Sequence, residues 1–169
     1  KDFSEEFYFG KTYGIYGKNG SGKSTLSNIL ASLYKPDQGH IYLGNNDIFN
    51  NISSYRKDVI QITSRPFIMA GTVKENLFLE ADSFDDEYIY DILKNIGLEE
   101  VINSFPLGLD TVIAEGGINL SSGQKQKINL ARALLRKPKI LILDEAMSNL
   151  DQSSKRKILE YIRDTLPKS

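Results

Sequence analysis

The chain contains no cysteine, no tryptophan and a single histidine, His40. Without cysteine there can be no disulfide framework and no thiolate metal site, and the composition fits a reducing compartment. No apolar run approaches the roughly 18–20 residues that span a bilayer. No leader precedes the first predicted strand. No block of basic residues occurs and the net charge is −1, so the electrostatic footprint of a nucleic-acid binder is missing. Any membrane role must therefore come through a partner or through sequence outside these residues. What remains is ordinary for a soluble globular domain: 169 residues, 40% hydrophobic and 25% charged.

Thr12-Tyr13-Gly14-Ile15-Tyr16 reads as a short strand entering a glycine-rich turn. Leu26, Leu30 and Leu33 then recur at helical spacing, up to a stop at Lys35-Pro36-Asp37. Strands are expected over 41–43 and 59–63, giving an α/β core with parallel strands. The middle of the chain reads as consecutive helices inserted into that core. Thr72 and Glu75 have capping-box spacing, Ile89, Ile92, Leu93 and Ile96 line one face before Gly97, and a third helix runs from Ser122 to Arg136. The run Ile140-Leu141-Ile142-Leu143 fits a strand buried on both faces, and a last helix runs from Gln152 to near Pro167.

Gly17-Lys18-Asn19-Gly20-Ser21-Gly22-Lys23-Ser24, with Thr25 following, matches the phosphate-binding loop G-x-x-x-x-G-K-[ST]. Glycines let successive N–H groups point at phosphate oxygens, and the positive end of the following helix adds to the attraction. In this pattern Lys23 reaches the β- and γ-phosphates of a nucleotide such as ATP, and the Ser24 hydroxyl ligates Mg²⁺. A chance glycine-rich turn is the competing reading, disfavoured by the predicted strand before it and helix after it. Downstream, Asp144 and Glu145 close the apolar strand at the sheet edge where α/β proteins bind ligands. Asp144 is placed to hold Mg²⁺ and Glu145 to polarise an attacking water as general base, although a strand ending in two acids is by itself common.

Leu120-Ser121-Ser122-Gly123-Gln124 resembles the LSGGQ signature of the ATP-binding-cassette (ABC) ATPases, with Ser122 replacing the first glycine. Ser148-Asn149-Leu150-Asp151 resembles that family's D-loop, carried by Asp151, and Gly71-Thr72-Val73-Lys74-Glu75-Asn76 the start of its helical subdomain. The order and spacing match, so the resemblance covers essentially the whole chain. It implies a P-loop NTPase core of ABC type, α/β, at about 1–66 and 137–169, with an inserted helical subdomain at about 67–136. It also implies a head-to-tail dimer with a second ABC ATPase domain, in which Ser121, Ser122, Gly123 and Gln124 face the ATP of the partner. Ser121 and Gln124 have capping-box spacing, which puts the signature at a helix N-terminus with donors for that γ-phosphate.

The stretch Leu107-Gly108-Leu109-Asp110-Thr111-Val112, followed by Ala114-Glu115-Gly116-Gly117, resembles the run ahead of the signature in ABC exporters. An exporter implies a transmembrane domain, expected as an N-terminal fusion, and a place at the cytoplasmic face of a membrane. An SMC or DNA-repair ATPase shares these motifs but places a long coiled coil between P-loop and signature, where none is present. A soluble ribosome-associated ABC protein is disfavoured by the exporter-like stretch.

Two family features are missing. The aromatic residue that stacks on adenine lies upstream of this chain's start, and Phe3, Phe7, Tyr8 and Tyr13 are expected in the core or in strands. The γ-phosphate-sensing histidine follows the D-loop, so His40 reads as a strand-edge surface residue and the chain as truncated at both ends. The Q-loop glutamine position is occupied by Ser64. Gln61 is the alternative, but at odd spacing along a strand it points to the opposite face.

Overall fold

The computed structural model describes residues 3–79 and 86–166. In chain order they form α1 (Lys23–Leu30), β1 (Tyr42–Leu43), β2 (Asn46–Asp47), α2 (Ile52–Asp58), β3 (Val59–Thr63), β4 (Gly71–Thr72) and α3 (Val73–Leu77). Then follow α4 (Asp86–Asn95), α5 (Glu99–Ser104), β5 (Val112–Ile113), α6 (Ser122–Leu135), β6 (Ile140–Asp144) and α7 (Gln152–Thr165). Pro167, the expected stop of the last helix, lies outside the described residues. The described residues divide into two compact units, those within 1–61, 138–142 and 163–169 and those within 62–137 and 143–162.

In the first unit β1 and β2 form an antiparallel hairpin, and β3 and β6 are hydrogen-bonded neighbours although distant in sequence. Ile48, Tyr55 and Val59 are buried, with Ile41, Leu43, Phe49, Ile140 and Ile142 packed against them. The Tyr55 phenol donates to the Leu30 carbonyl at 2.7 Å, tying α2 to the end of α1. Burial pushes its pKa up to about 12. Helix α1 is shorter than its leucine spacing predicts. Ser32 takes a positive φ of 59° and its carbonyl accepts from Arg56 at 2.8 Å, which turns the chain out of the helix and leaves Leu33 exposed.

The expected strand at 12–16 is not formed. A strand exists only through a ladder with a neighbour, and among the described residues nothing pairs with this segment. Instead the Tyr16 ring folds back over Gly14, where an added Cβ would lie 2.6 Å from it. The upstream aromatics are likewise exposed rather than in the core. Phe7 and Tyr13 meet edge-to-face at 5.0 Å, and the Tyr8 amide donates to the Tyr13 hydroxyl. His40, by contrast, lies on the surface as expected, bonded to Asp47 at 2.8 Å.

In the second unit α6 packs against α3 and α4, and α4 against α5. Ile92, Leu93, Ile96 and Leu98 are buried with Ile128, Leu130, Leu134 and Leu135 of α6, so the predicted helical face is the buried one. Gly97 ends α4 at a φ of 65°, a conformation that favours glycine. The insertion is not purely helical. Strands β4 and β5 pair antiparallel, Gly71 opposite Ile113 and Thr72 opposite Val112, which brings the start of α3 beside the stretch ahead of the signature. Strand β6 is half-buried along its length rather than buried on both faces, consistent with β3 being its ladder neighbour among the described residues.

Candidate functional site

The P-loop leads into α1 through backbone that only its glycines take easily: Gly20 has a φ of 78° and Gly22, the N-cap, a φ of 93°. Gly17 is needed for a different reason, since a Cβ there would stand 2.5 Å from Ser21 Oγ. The loop is closed by the Ser21 amide donating to the Lys18 carbonyl at 3.1 Å. The Lys23 ammonium bends back over it, donating to the carbonyls of Gly17 at 2.9 Å and Lys18 at 3.1 Å. No side chain caps α1. The amides of Lys23, Ser24 and Thr25 therefore form an open donor set beside a cation, the arrangement that suits a phosphate.

The second unit brings the other motifs together. Ser121 caps α6 with a complete capping box: the Ser121 amide donates to Gln124 Oε1 at 2.8 Å and the Gln124 amide to Ser121 Oγ at 3.2 Å. Gly123 lies against the D-loop, where an added Cβ would reach the Asn149 carbonyl and Leu150 at 3.5 Å. Asp144 ends β6, and Glu145 follows in the left-handed region at a φ of 55°, a strained backbone for a carboxylate side chain of the kind that clusters at functional sites. The Ser148 amide closes the turn onto the Glu145 carbonyl at 3.1 Å. Asp151 accepts from the Ser154 amide at 2.9 Å and hydroxyl at 2.6 Å, capping α7. The Ser154 hydroxyl first, then its amide, hold the Asp151 pKa below the usual carboxylate value. Ser24 belongs to the first unit and Asp144 to the second. A hydroxyl and a carboxylate are the hard oxygen donors Mg²⁺ prefers.

At the disputed Q-loop position, the Gln61 amide donates to Ser27 Oγ and to Asn28 Oδ1, both at 2.9 Å, so it is engaged with α1. Ser64 lies half-buried just beyond β3. Sequence reasoning missed three polar residues that position these loops. Asn76, fully buried, exchanges hydrogen bonds with both backbone groups of Met69 at 3.0 Å. Arg132 of α6 donates to the carbonyls of Asn76 at 2.7 Å and Phe67 at 2.9 Å. Gln126 is 1% exposed. The available signal was phase: Gln126 stands four and eight residues before Leu130 and Leu134, on the apolar face of α6.

A family model described as ABC transporter matches residues 1–148. The chain belongs to the ABC transporter family. It is exporter-like within it. A Rickettsia typhi protein with the provisional name export ATP-binding/permease protein is 44% identical over 154 residues, which are 90% of this chain and 27% of that protein. The ABC-type transporter fsqE of Aspergillus fumigatus is 41% identical over 154 residues, 89% of this chain and 12% of that one. Among solved structures, a bacterial Atm1-family ABC exporter with ATP bound superposes with a TM-score of 0.82 at 29% identity, over 89% of this chain and 27% of that one. The chain thus spans about a quarter or less of the length of these relatives. The ABC fold, a P-loop core with an inserted helical subdomain, is the fold of this chain. Among the described residues no helix is long and apolar enough to cross a membrane.

Proposed function

We propose that this ABC domain binds MgATP and hydrolyses it to drive export through a transmembrane partner. The observation that carries the reading is the uncapped N-terminus of α1, with Lys23 folded across the mouth of the loop. Residues 17–25 form the phosphate cradle, and Lys23 turns from the loop carbonyls to the β- and γ-phosphates. Ser24 and Asp144 are assigned to Mg²⁺, which supplies charge neutralisation on the phosphate oxygens. Glu145 is the general base for the attacking water. Ser121, Ser122, Gly123 and Gln124 face the nucleotide of a second ABC domain in a head-to-tail dimer, with Asp151 at the D-loop of that contact. Ser64 occupies the Q-loop position. The transmembrane partner is a fused N-terminal domain, which puts this domain at the cytoplasmic face of the membrane. The name of the Rickettsia typhi relative, and an exporter as structural neighbour, support transport over chromosome maintenance.

The test is Lys23→Ala in the intact protein. Loss of the cation facing the phosphates should weaken MgATP binding at least about tenfold, measured by calorimetry, because backbone donors do not replace a charge-assisted contact. Unchanged affinity removes the P-loop from the reading.

A further inference from the structure

We infer that Gln126 is a positioning residue that holds the loop after β6 in register with the signature at the start of α6. Both ends of its buried amide are used. Its Nε2 donates to Ser148 Oγ at 3.1 Å, and its Oε1 accepts from the Asn149 amide at 3.0 Å. Ser148 in turn donates its own amide to the Glu145 carbonyl at 3.1 Å. An unbroken chain of hydrogen bonds therefore runs from α6, five residues after its N-cap Ser121, to the backbone of Glu145. Gly123, on the same turn of helix, has the Asn149 carbonyl within 3.5 Å of where its Cβ would be. The helix surface and the loop are thus fitted to each other at two points.

The burial matters as much as the bonds. At 1% exposure the Gln126 amide has no water to replace a lost partner, so the loop geometry that satisfies it is strongly preferred over its alternatives. Glu145 sits in left-handed backbone and needs support from its surroundings to stay there. A side chain that fixes residues 148 and 149 supplies it. A shift of α6 therefore moves the loop that carries Glu145, and the inference rests on the reading of Glu145 as the base.

The test compares three variants of the intact protein. Gln126→Met keeps the volume and loses both bonds. Ser148→Ala removes one bond from the loop side, and reads the same contact should the Met variant fail to fold. Gln126→Glu retains both bonds in either protonation state. Ionised, it accepts from the Asn149 amide and the Ser148 hydroxyl; neutral, it donates to Ser148 and accepts from Asn149. Turnover of MgATP should fall about tenfold in Gln126→Met, about threefold in Ser148→Ala, and recover to within about twofold of the parent in Gln126→Glu. KM for ATP should stay within about twofold throughout, and turnover is normalised to the folded fraction of each variant, so that a merely destabilised protein does not mimic the loss. Hydrogen exchange at the Asn149 amide should speed up in Gln126→Met. Parent-like turnover in both Gln126→Met and Ser148→Ala, or a loss that falls on KM, overturns the inference. A parent protein with no ATP turnover overturns the function proposed above and takes this inference with it; the exchange rate at Asn149 then still reports whether the contact itself exists.

Discussion

The two glycine- and serine-rich helix starts, at α1 and at α6, solve the same problem in opposite ways. Every helix begins with amides that have no partner in the helix. Helix α6 satisfies two of the nearby donors internally, through the reciprocal bonds of Ser121 and Gln124. Helix α1 begins at a left-handed glycine with no side chain to cap it. A glycine N-cap costs only about a few tenths of a kcal/mol relative to a serine one, so the open start of α1 gives up little stability. The uncapped start leaves its first amides to water or to a ligand. The capped start is preformed, and the amides of Ser122 and Gly123 take no part in its capping box. Under the function proposed above, binding falls to residues 17–25 and hydrolysis to the loop after β6.

The largest expected effect sharpens that division. Glu145→Gln keeps size and shape at the strained position while removing the proposed base. Turnover should fall by about two orders of magnitude or more, the range for lost base catalysis, with MgATP affinity within about twofold of the parent. An ATP-dependent dimer of the variant should persist on a sizing column. Equal losses in binding and turnover would break the comparison, because Glu145 would then belong to the nucleotide cradle.

A smaller effect separates Gln61 from Ser64. Gln61→Ala removes two hydrogen bonds to α1 and should cost about 1–2 kcal/mol in urea unfolding, with turnover reduced only in proportion to folded protein. With Ser64 read as the Q-loop position, as proposed above, Ser64→Gln should raise turnover a few-fold. The opposite pattern, with Gln61→Ala abolishing Mg²⁺-dependent turnover in stable protein and Ser64→Gln silent, would make Gln61 the Q-loop residue.

These contrasts also show what was legible in the sequence. Both capping boxes, Thr72 with Glu75 and Ser121 with Gln124, form as their spacing predicts, because a capping box is fixed by four consecutive residues. The buried face of α4 and the limits of β3 were readable for the same reason: helical and strand periods are local. Features that depend on distant partners were not. Residues 12–16 have strand composition but no ladder among the described residues, and the two-residue strands β4 and β5 are too short to show a period. Arg132 looks like an ordinary polar residue of an amphipathic helix, and Gln126 differs only in standing on its apolar face. Only the tertiary contacts to Ser148, Asn149, Asn76 and Phe67 give them work.

The smallest effect concerns a third helix start, that of α7, which is capped by a charge. Asp151 accepts from the hydroxyl and amide of Ser154, and these bonds lower its pKa in the folded protein. An unfolded aspartate titrates near about 3.9, so the folded form holds its proton less tightly than the unfolded one. The sign follows by linkage: the contribution is fully present above the unfolded value and is lost as pH falls through the lower folded value. Asp151→Asn keeps an oxygen for the Ser154 amide but does not titrate. Thermal unfolding of the parent followed from about pH 6 down to about pH 2 should therefore lose stability more steeply below about pH 4 than the variant does. Near neutral pH the variant should be slightly the less stable, because a carboxylate suits a helix N-terminus better than an amide. Superimposable profiles would mean that the charge at residue 151 does nothing for α7, and the cap would then be no different in kind from the neutral one at Ser121.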